Sequence, residues 1–323
     1  MIKRLLLGAV TATALLAQTA QAGENLWVYS KGTDTRPQGS YEFKLSNVTR
    51  VGKGSGDYRF NDLRPEIEYG VTDKLTVSGE LVFFDHSYSV DNPDLQPFFD
   101  TQGEADGRFN QSAFAGYELA LKYNVLSPYK DAFGLSLGLS YERRDKYRLD
   151  GADINQDSFS GTIYLQKDFL DDTLITVANL KTEFERRKTP GVLEEEISVE
   201  FSLGAAYRVA PKWFVGLEFR HQSDYLNPQE KEEAGNPGFD DKGFNNSLDR
   251  SSFDLGDFRL GSQHQRGNYF GPSVHYAEKK WWVTAGVLWQ VSGGGSQFSF
   301  SRNGKNYDEH EKMHVGFSYG YEF

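Results

Sequence analysis

His221 and Ser223 are separated by a single residue. On an extended strand, side chains two apart share a face, so this imidazole can reach this hydroxyl and serve as its base in acyl transfer. Asn268 is the one plausible neighbour to orient the ring. A second kind of chemistry lies in charges that keep strand parity. These are Asp62, Arg64, Glu66 and Glu68; Glu80; Glu118 and Lys122; Glu142, Arg144, Lys146 and Arg148. The series continues through Lys181, Glu183, Glu185 and Arg187; Glu194, Glu196 and Glu200; and Glu218, Arg220 and Asp224. Charges gathered on one face of each strand can select solutes by charge in an aqueous passage. Alternatively they pair with one another and fill a narrow interior.

The elements that position these groups are strands. Phe133 to Tyr141 reads FGLSLGLSY, with large apolar residues on odd positions and only Gly and Ser between them. Ile197–Val209, Trp213–Phe219 and Trp281–Val291 alternate in the same way. A period of two held over this length is a strand signal. Strand cores are expected near 40–50, 62–71, 75–88, 112–126, 133–148, 156–169, 173–187, 194–209, 213–226, 264–277, 281–291 and 309–323. Short connections alternate with long ones, which is the layout of an up-and-down barrel in an outer membrane. The expected fold is therefore an all-β, transmembrane, antiparallel barrel of about twelve strands with both termini periplasmic; ten or fourteen strands are the neighbouring counts. Aromatic residues gather at expected strand ends, as a headgroup girdle would require.

The chain has 323 residues, a formal charge of -11 and no cysteine. The absence of cysteine excludes disulfides and thiolate metal sites, and the acidic balance argues against a nucleic-acid partner. Residues 1–22 combine Lys3 and Arg4, an apolar run from Leu5 to Leu16 and a closing Ala20-Gln21-Ala22. That pattern predicts a secretory signal peptide. Residues 23–39 are expected as a periplasmic N-terminal segment and residues 40–323 as the barrel, with long extracellular loops at 89–111 and 227–263. The loop acids Asp240, Asp241 and Asp254 lack a calcium-loop spacing, so no metal is expected, and no cofactor motif is present.

The chain ends HVGFSYGYEF, placing Phe317, Tyr319, Tyr321 and Phe323 on one parity. This strand resembles the C-terminal insertion signal of Gram-negative outer-membrane barrels, and the resemblance implies recognition by the barrel assembly machinery. Val215–Tyr225 and Gly271–Val291 are similar to an uncharacterised family of such barrels with a porin-like or transporter-like layout. The His-x-Ser pair resembles that of outer-membrane phospholipase A and the lipid A deacylases. Asp224-Tyr225 follows Ser223 here, where phospholipase A carries Asn-Gly.

Taking the apolar parity as lipid-facing sends the charged parity inward, because a base facing lipid at mid-depth costs about 2–4 kcal/mol. Strand five then supplies mostly bases and strands two and eight mostly acids. If these strands face one another across the lumen, the field is transverse and suits zwitterionic or polar solutes. The favoured expectation is a porin-like channel for small polar or organic solutes, in contact with outer-membrane lipids. The alternatives are a lipid acyl hydrolase using His221 and Ser223, and a non-conducting structural or adhesive barrel.

Overall fold

The computed structural model describes residues 25–54, 56–89, 108–148, 151–189, 192–226, 255–261, 263–295, 303–308 and 310–323. The expected leader, most of the two long loops and Asp240, Asp241 and Asp254 lie outside the described residues.

Among the described residues, twelve strands close into one barrel. They are β1 Tyr41–Val51, β2 Tyr58–Thr72, β3 Leu75–Ser89, β4 Arg108–Leu126, β5 Gly134–Lys146 and β6 Asp153–Phe169. The second half comprises β7 Leu174–Thr189, β8 Val192–Ala210, β9 Trp213–Leu226, β10 Gln263–Ala277, β11 Trp281–Gly295 and β12 Met313–Glu322. Each strand pairs antiparallel with its sequence neighbours, and β1 pairs with β12 from Glu42↔Glu322 to Val51↔Met313, which removes the last free edge.

Several strands run past their expected cores toward the long loops. β2 begins at Tyr58 and β4 at Arg108. Ladder hydrogen bonds continue there beyond the stretch where apolar alternation is needed, so hydropathy marks the membrane portion and misses the extension. β12 is shorter than expected and begins at Met313.

The outer face is apolar. Ile67, Leu119, Leu139, Leu217 and Phe317 are exposed, Leu139 by 61% and Ile67 by 57%. A contiguous apolar belt of this kind on a closed sheet is a lipid-facing surface. At the short-turn end it terminates in touching rings: Tyr41 on Tyr69, Trp213 on Tyr276, Tyr276 on Trp281 and Tyr321 on Phe323.

Two clusters of buried apolar residues lie inside the barrel. Toward the long-loop end, Tyr58, Phe60, Val82, Phe84, Tyr88 and Ala115 form one cluster. It depends on a bulge in β4, where Gly116 adopts φ +149° and any Cβ would collide with the Arg143 carbonyl. The extra residue reverses the strand's parity. Glu118 and Lys122 point inward below the bulge, whereas Ala115 points inward above it.

A second cluster joins Leu26 and Trp27 to Ile175, Val177, Ala206 and Phe214 on the inner wall of β7, β8 and β9. The described part of the N-terminal segment, expected as periplasmic, is therefore seated within the lumen.

Replacing Leu139 by Arg at mid-strand is expected to destabilise the protein by about 2–4 kcal/mol in lipid vesicles, while the same change at Val209 beside the aromatic rim costs about 0–1 kcal/mol. Urea unfolding followed by tryptophan fluorescence measures the difference; equal losses at the two positions would contradict a lipid-facing belt.

Candidate functional site

The interior is organised by a plug. The N-terminal segment approaches the wall at the short-turn end, where Gly39 N donates to Gly70 O at 2.8 Å. From there it crosses the lumen without joining the sheet. A buried segment outside the ladder needs other partners for its backbone, and wall side chains supply them. Glu218, 1% exposed, accepts the amides of Val28 and Tyr29 at 3.0 Å each and that of Ser30 at 2.5 Å. Asn179 accepts from Lys31 N at 2.7 Å and donates to Lys31 O at 2.9 Å. Gln166 accepts from Thr33 N at 2.8 Å, and Ser136 and Asn124 donate to Thr33 O at 2.6 and 3.0 Å. Arg36 anchors the far end, bonding Glu42 at 2.8 Å and Glu322 at 2.9 Å.

The wall makes room for this segment with small residues in register. Gly216, Ser273, Gly286 and Gly316 are successive cross-strand partners on β9, β10, β11 and β12. Val28 occupies the space over Gly286 and Gly316, and Trp27 that over Gly204 and Gly216. A Cβ on Gly286 would lie 2.6 Å from Val28, and one on Gly204 2.6 Å from Trp27. Sequence reasoning misses the plug because residues 25–39 carry no alternation, and misses the seat because its members align only once register is known.

Between the plug and the long-loop end lies a cavity of about 530 Å³. Arg64, Glu66, Glu68, Glu80, Glu118, Lys122, Glu142, Arg144, Lys181, Glu183, Glu200 and Arg220 all line it. Most of these charges are paired. Arg64 alone bridges four strands, bonding Asp62 at 2.7 Å, Glu80 at 2.8 Å and Glu142 at 3.0 Å, with Glu118 at 3.5 Å. Lys44 pairs with Glu66, Arg144 with Glu142 and Arg220 with Glu200. Lys181 bonds Glu183 at 2.6 Å, and Arg187 bonds Glu194 at 2.7 Å.

Two expected lining residues lie elsewhere. Glu218 faces the plug, as described. Lys146 follows a register shift and pairs with exposed Asp153 away from the cavity. The expected transverse arrangement of strands also differs. In the closed order, β2 and β8 stand opposite one another and β5 lies midway between them, so the bases of β5 do not oppose either acidic strand.

Part of the β11–β12 connection folds against the inner wall. Gln290 donates to Asn306 O and accepts from Asn306 N at 2.7 Å, and Tyr269 donates to Glu311 O at 3.0 Å. His314 joins this loop to the plug: one ring nitrogen contacts Glu311 at 3.1 Å and the other the Tyr29 hydroxyl at 2.8 Å.

On the outer face, His221 and Asn268 are cross-strand partners, with Nδ1 and Oδ1 2.7 Å apart. Asn268 donates in turn to Ser292 at 2.9 Å. The Ser223 hydroxyl is buried and donates to Val199 O at 3.3 Å. The structure thus assembles the imidazole with its amide and turns the serine to the backbone. Phe317, Tyr319 and Tyr321 stand on β12, Phe317 exposed on the outer surface, with Phe323 exposed just past its end. No group of residues suited to hold a metal ion occurs among the described residues.

A closed, all-antiparallel barrel with an apolar exterior and a charged interior defines an outer-membrane β-barrel protein. The chain matches the family of unknown function (DUF6662) over residues 19–323 and belongs to that family. No curated protein matches by sequence. Among solved structures, the COG4313 outer membrane channel from Pseudomonas putida F1 is similar at a TM-score of 0.56 and 9% identity, covering 90% of this chain and 98% of that one. The beta domain of the Bordetella autotransporter BrkA is similar at 0.52 and 10% identity, covering 88% of this chain and 100% of that one. At these identities the likeness is one of fold.

The inward loop carries a pH dependence. Burial pushes the His310 imidazole down to about 3 from its ordinary 6.5, and its Nε2 has no hydrogen-bond partner. A released loop therefore binds a proton that the docked loop refuses, so docking weakens as pH falls from 6.5 toward 3. Hydrogen exchange of residues 303–308 and 310–312 is expected to accelerate at pH 4.5 relative to pH 7.5 after correction for intrinsic rates, and His310→Phe should weaken that dependence, the remainder coming from Glu311, whose bond to His314 holds its carboxyl well below the ordinary range.

Proposed function

We propose that this protein is an outer-membrane channel for small polar or organic solutes, closed in its resting form by its own N-terminal segment. The observation that carries this reading is a charged, hydrogen-bonding cavity within a lipid-facing wall, crossed on one side by a segment that side chains hold outside the ladder. A structural barrel needs no such separable occupant; apolar packing would fill its lumen with fewer buried charges. In this reading an N-terminal leader directs export and the short-turn end, with both chain ends, faces the periplasm. The terminal aromatic strand serves the assembly machinery.

A second reading has one specific support, the His221–Asn268 bond on the lipid side. A hydrolase would need Ser223 to leave the Val199 carbonyl and turn toward the imidazole. The channel reading requires no rearrangement of the wall and stands as the conclusion.

Single-channel recording in planar bilayers tests both the passage and the plug. Glu218→Ala leaves three amides without their acceptor, the buried one at Ser30 costing about 1–3 kcal/mol, and Gly316→Ala intrudes on Val28. Both variants are expected to conduct several-fold more than the wild type, while Glu218→Gln, which keeps an acceptor, shows a smaller rise. Silence in the wild type and in both opened variants would defeat the channel reading. For the second reading, acyl release from lipid vesicles must vanish in Ser223→Ala; release equal to wild type, or none from either protein, removes it.

A further inference from the structure

Against the paired charges of the cavity, two groups stand out as incomplete. Arg50 is 6% exposed and lines the cavity. Its nearest acid is Glu311, at 3.9 Å, beyond hydrogen-bond length, and its Nε has no partner. Arg148 lines the same cavity just past the end of β5, its backbone fixed by His86, which contacts Arg148 O at 2.7 Å. Its guanidinium forms no ion pair within 4.0 Å among the described residues. Buried Arg50 is thus short of the carboxylates or other acceptors that ordinarily satisfy a guanidinium, and half-buried Arg148 keeps its charge open to the cavity.

The opposite deficiency lies on β8 and β9. Glu196 and Asp224 are buried, line the cavity and flank Ser198. The Ser198 hydroxyl lies 2.9 Å from Glu196 and 2.6 Å from Asp224. One hydroxyl has one proton, so it serves only one of them at a time. Neither acid has a base within 4.0 Å among the described residues. Two neighbouring carboxylates with no base in direct contact repel each other unless a proton or an external cation comes between them.

We propose that this cavity is a binding site for a small zwitterion bearing a carboxylate and an ammonium group. The carboxylate sits at Arg50 and Arg148, and the ammonium at Glu196 and Asp224. A volume of about 530 Å³ accommodates a solute of amino-acid size. This site rests on one part of the proposed function, that the lumen admits solute from a barrel mouth; it does not require passage through the barrel.

The test is isothermal titration of the full protein in nanodiscs, which measures binding independently of conduction. Glycine, 4-aminobutyrate and 6-aminohexanoate vary the separation between the two charges; butyrate and butylammonium carry one charge each. The best-fitting zwitterion is expected to bind at least about tenfold more tightly than either single-charge analogue, a difference of about 1.4 kcal/mol. Arg50→Gln with Arg148→Gln should abolish that advantage over butylammonium. Glu196→Gln with Asp224→Asn should abolish it over butyrate. Retained heat-modifiable migration on gels shows that each double variant is folded, and single substitutions replace any that is not. Equal affinity for butyrate and the zwitterions, unchanged zwitterion affinity in both sets of variants, or no binding of any probe would overturn the proposal. A silent bilayer recording alongside a positive titration would defeat conduction and leave the site intact.

Discussion

In a hydrocarbon environment every backbone amide and carbonyl must find its partner within the protein. For a sheet, that constraint is met only by closure, and here the β1–β12 ladder provides it. Closure fixes the rest. It gives the wall two chemically opposite faces, gathers every inward side chain into one enclosed volume and leaves the mouths as the routes of entry. The apolar exterior and charged interior are two readings of one alternating pattern.

The interior must then solve a problem the exterior does not have. Charged groups there are withdrawn from bulk water, and an isolated buried charge is costly. The barrel spreads each charge over several partners, as Arg64 does across β2, β3, β4 and β5. Glu218 shows another solution, in which three amides of the plug stand in for a cation. Such networks confer little net stability over apolar packing. What they provide is a polar, hydrogen-bonding lining that an apolar filling cannot offer.

How much of this is legible in the sequence depends on which physical signal each part leaves. The wall is legible because the membrane enforces alternation; β5 and β11 stand out from their residues alone. The Asn268 partner of His221 follows from parity and strand neighbourhood. The plug leaves no periodic trace, since its partners are contributed singly by Asn179, Gln166, Glu218 and others far apart in the chain. The β4 bulge escapes notice because one extra residue reverses parity without disturbing composition. The misplaced transverse field has a geometric cause: residue types reveal which face a charge occupies, while its bearing around the ring depends on strand order.

The plug is tethered to β1 through the turn at 37–40, where Ser40 N donates to Pro37 O at 3.1 Å. Once unseated it cannot diffuse away, and its local concentration near the vacated groove stays in the millimolar range typical of short linkers. Reseating is therefore a unimolecular event, indifferent to how many copies of the protein crowd the membrane. In the channel reading, each barrel thus carries its own stopper.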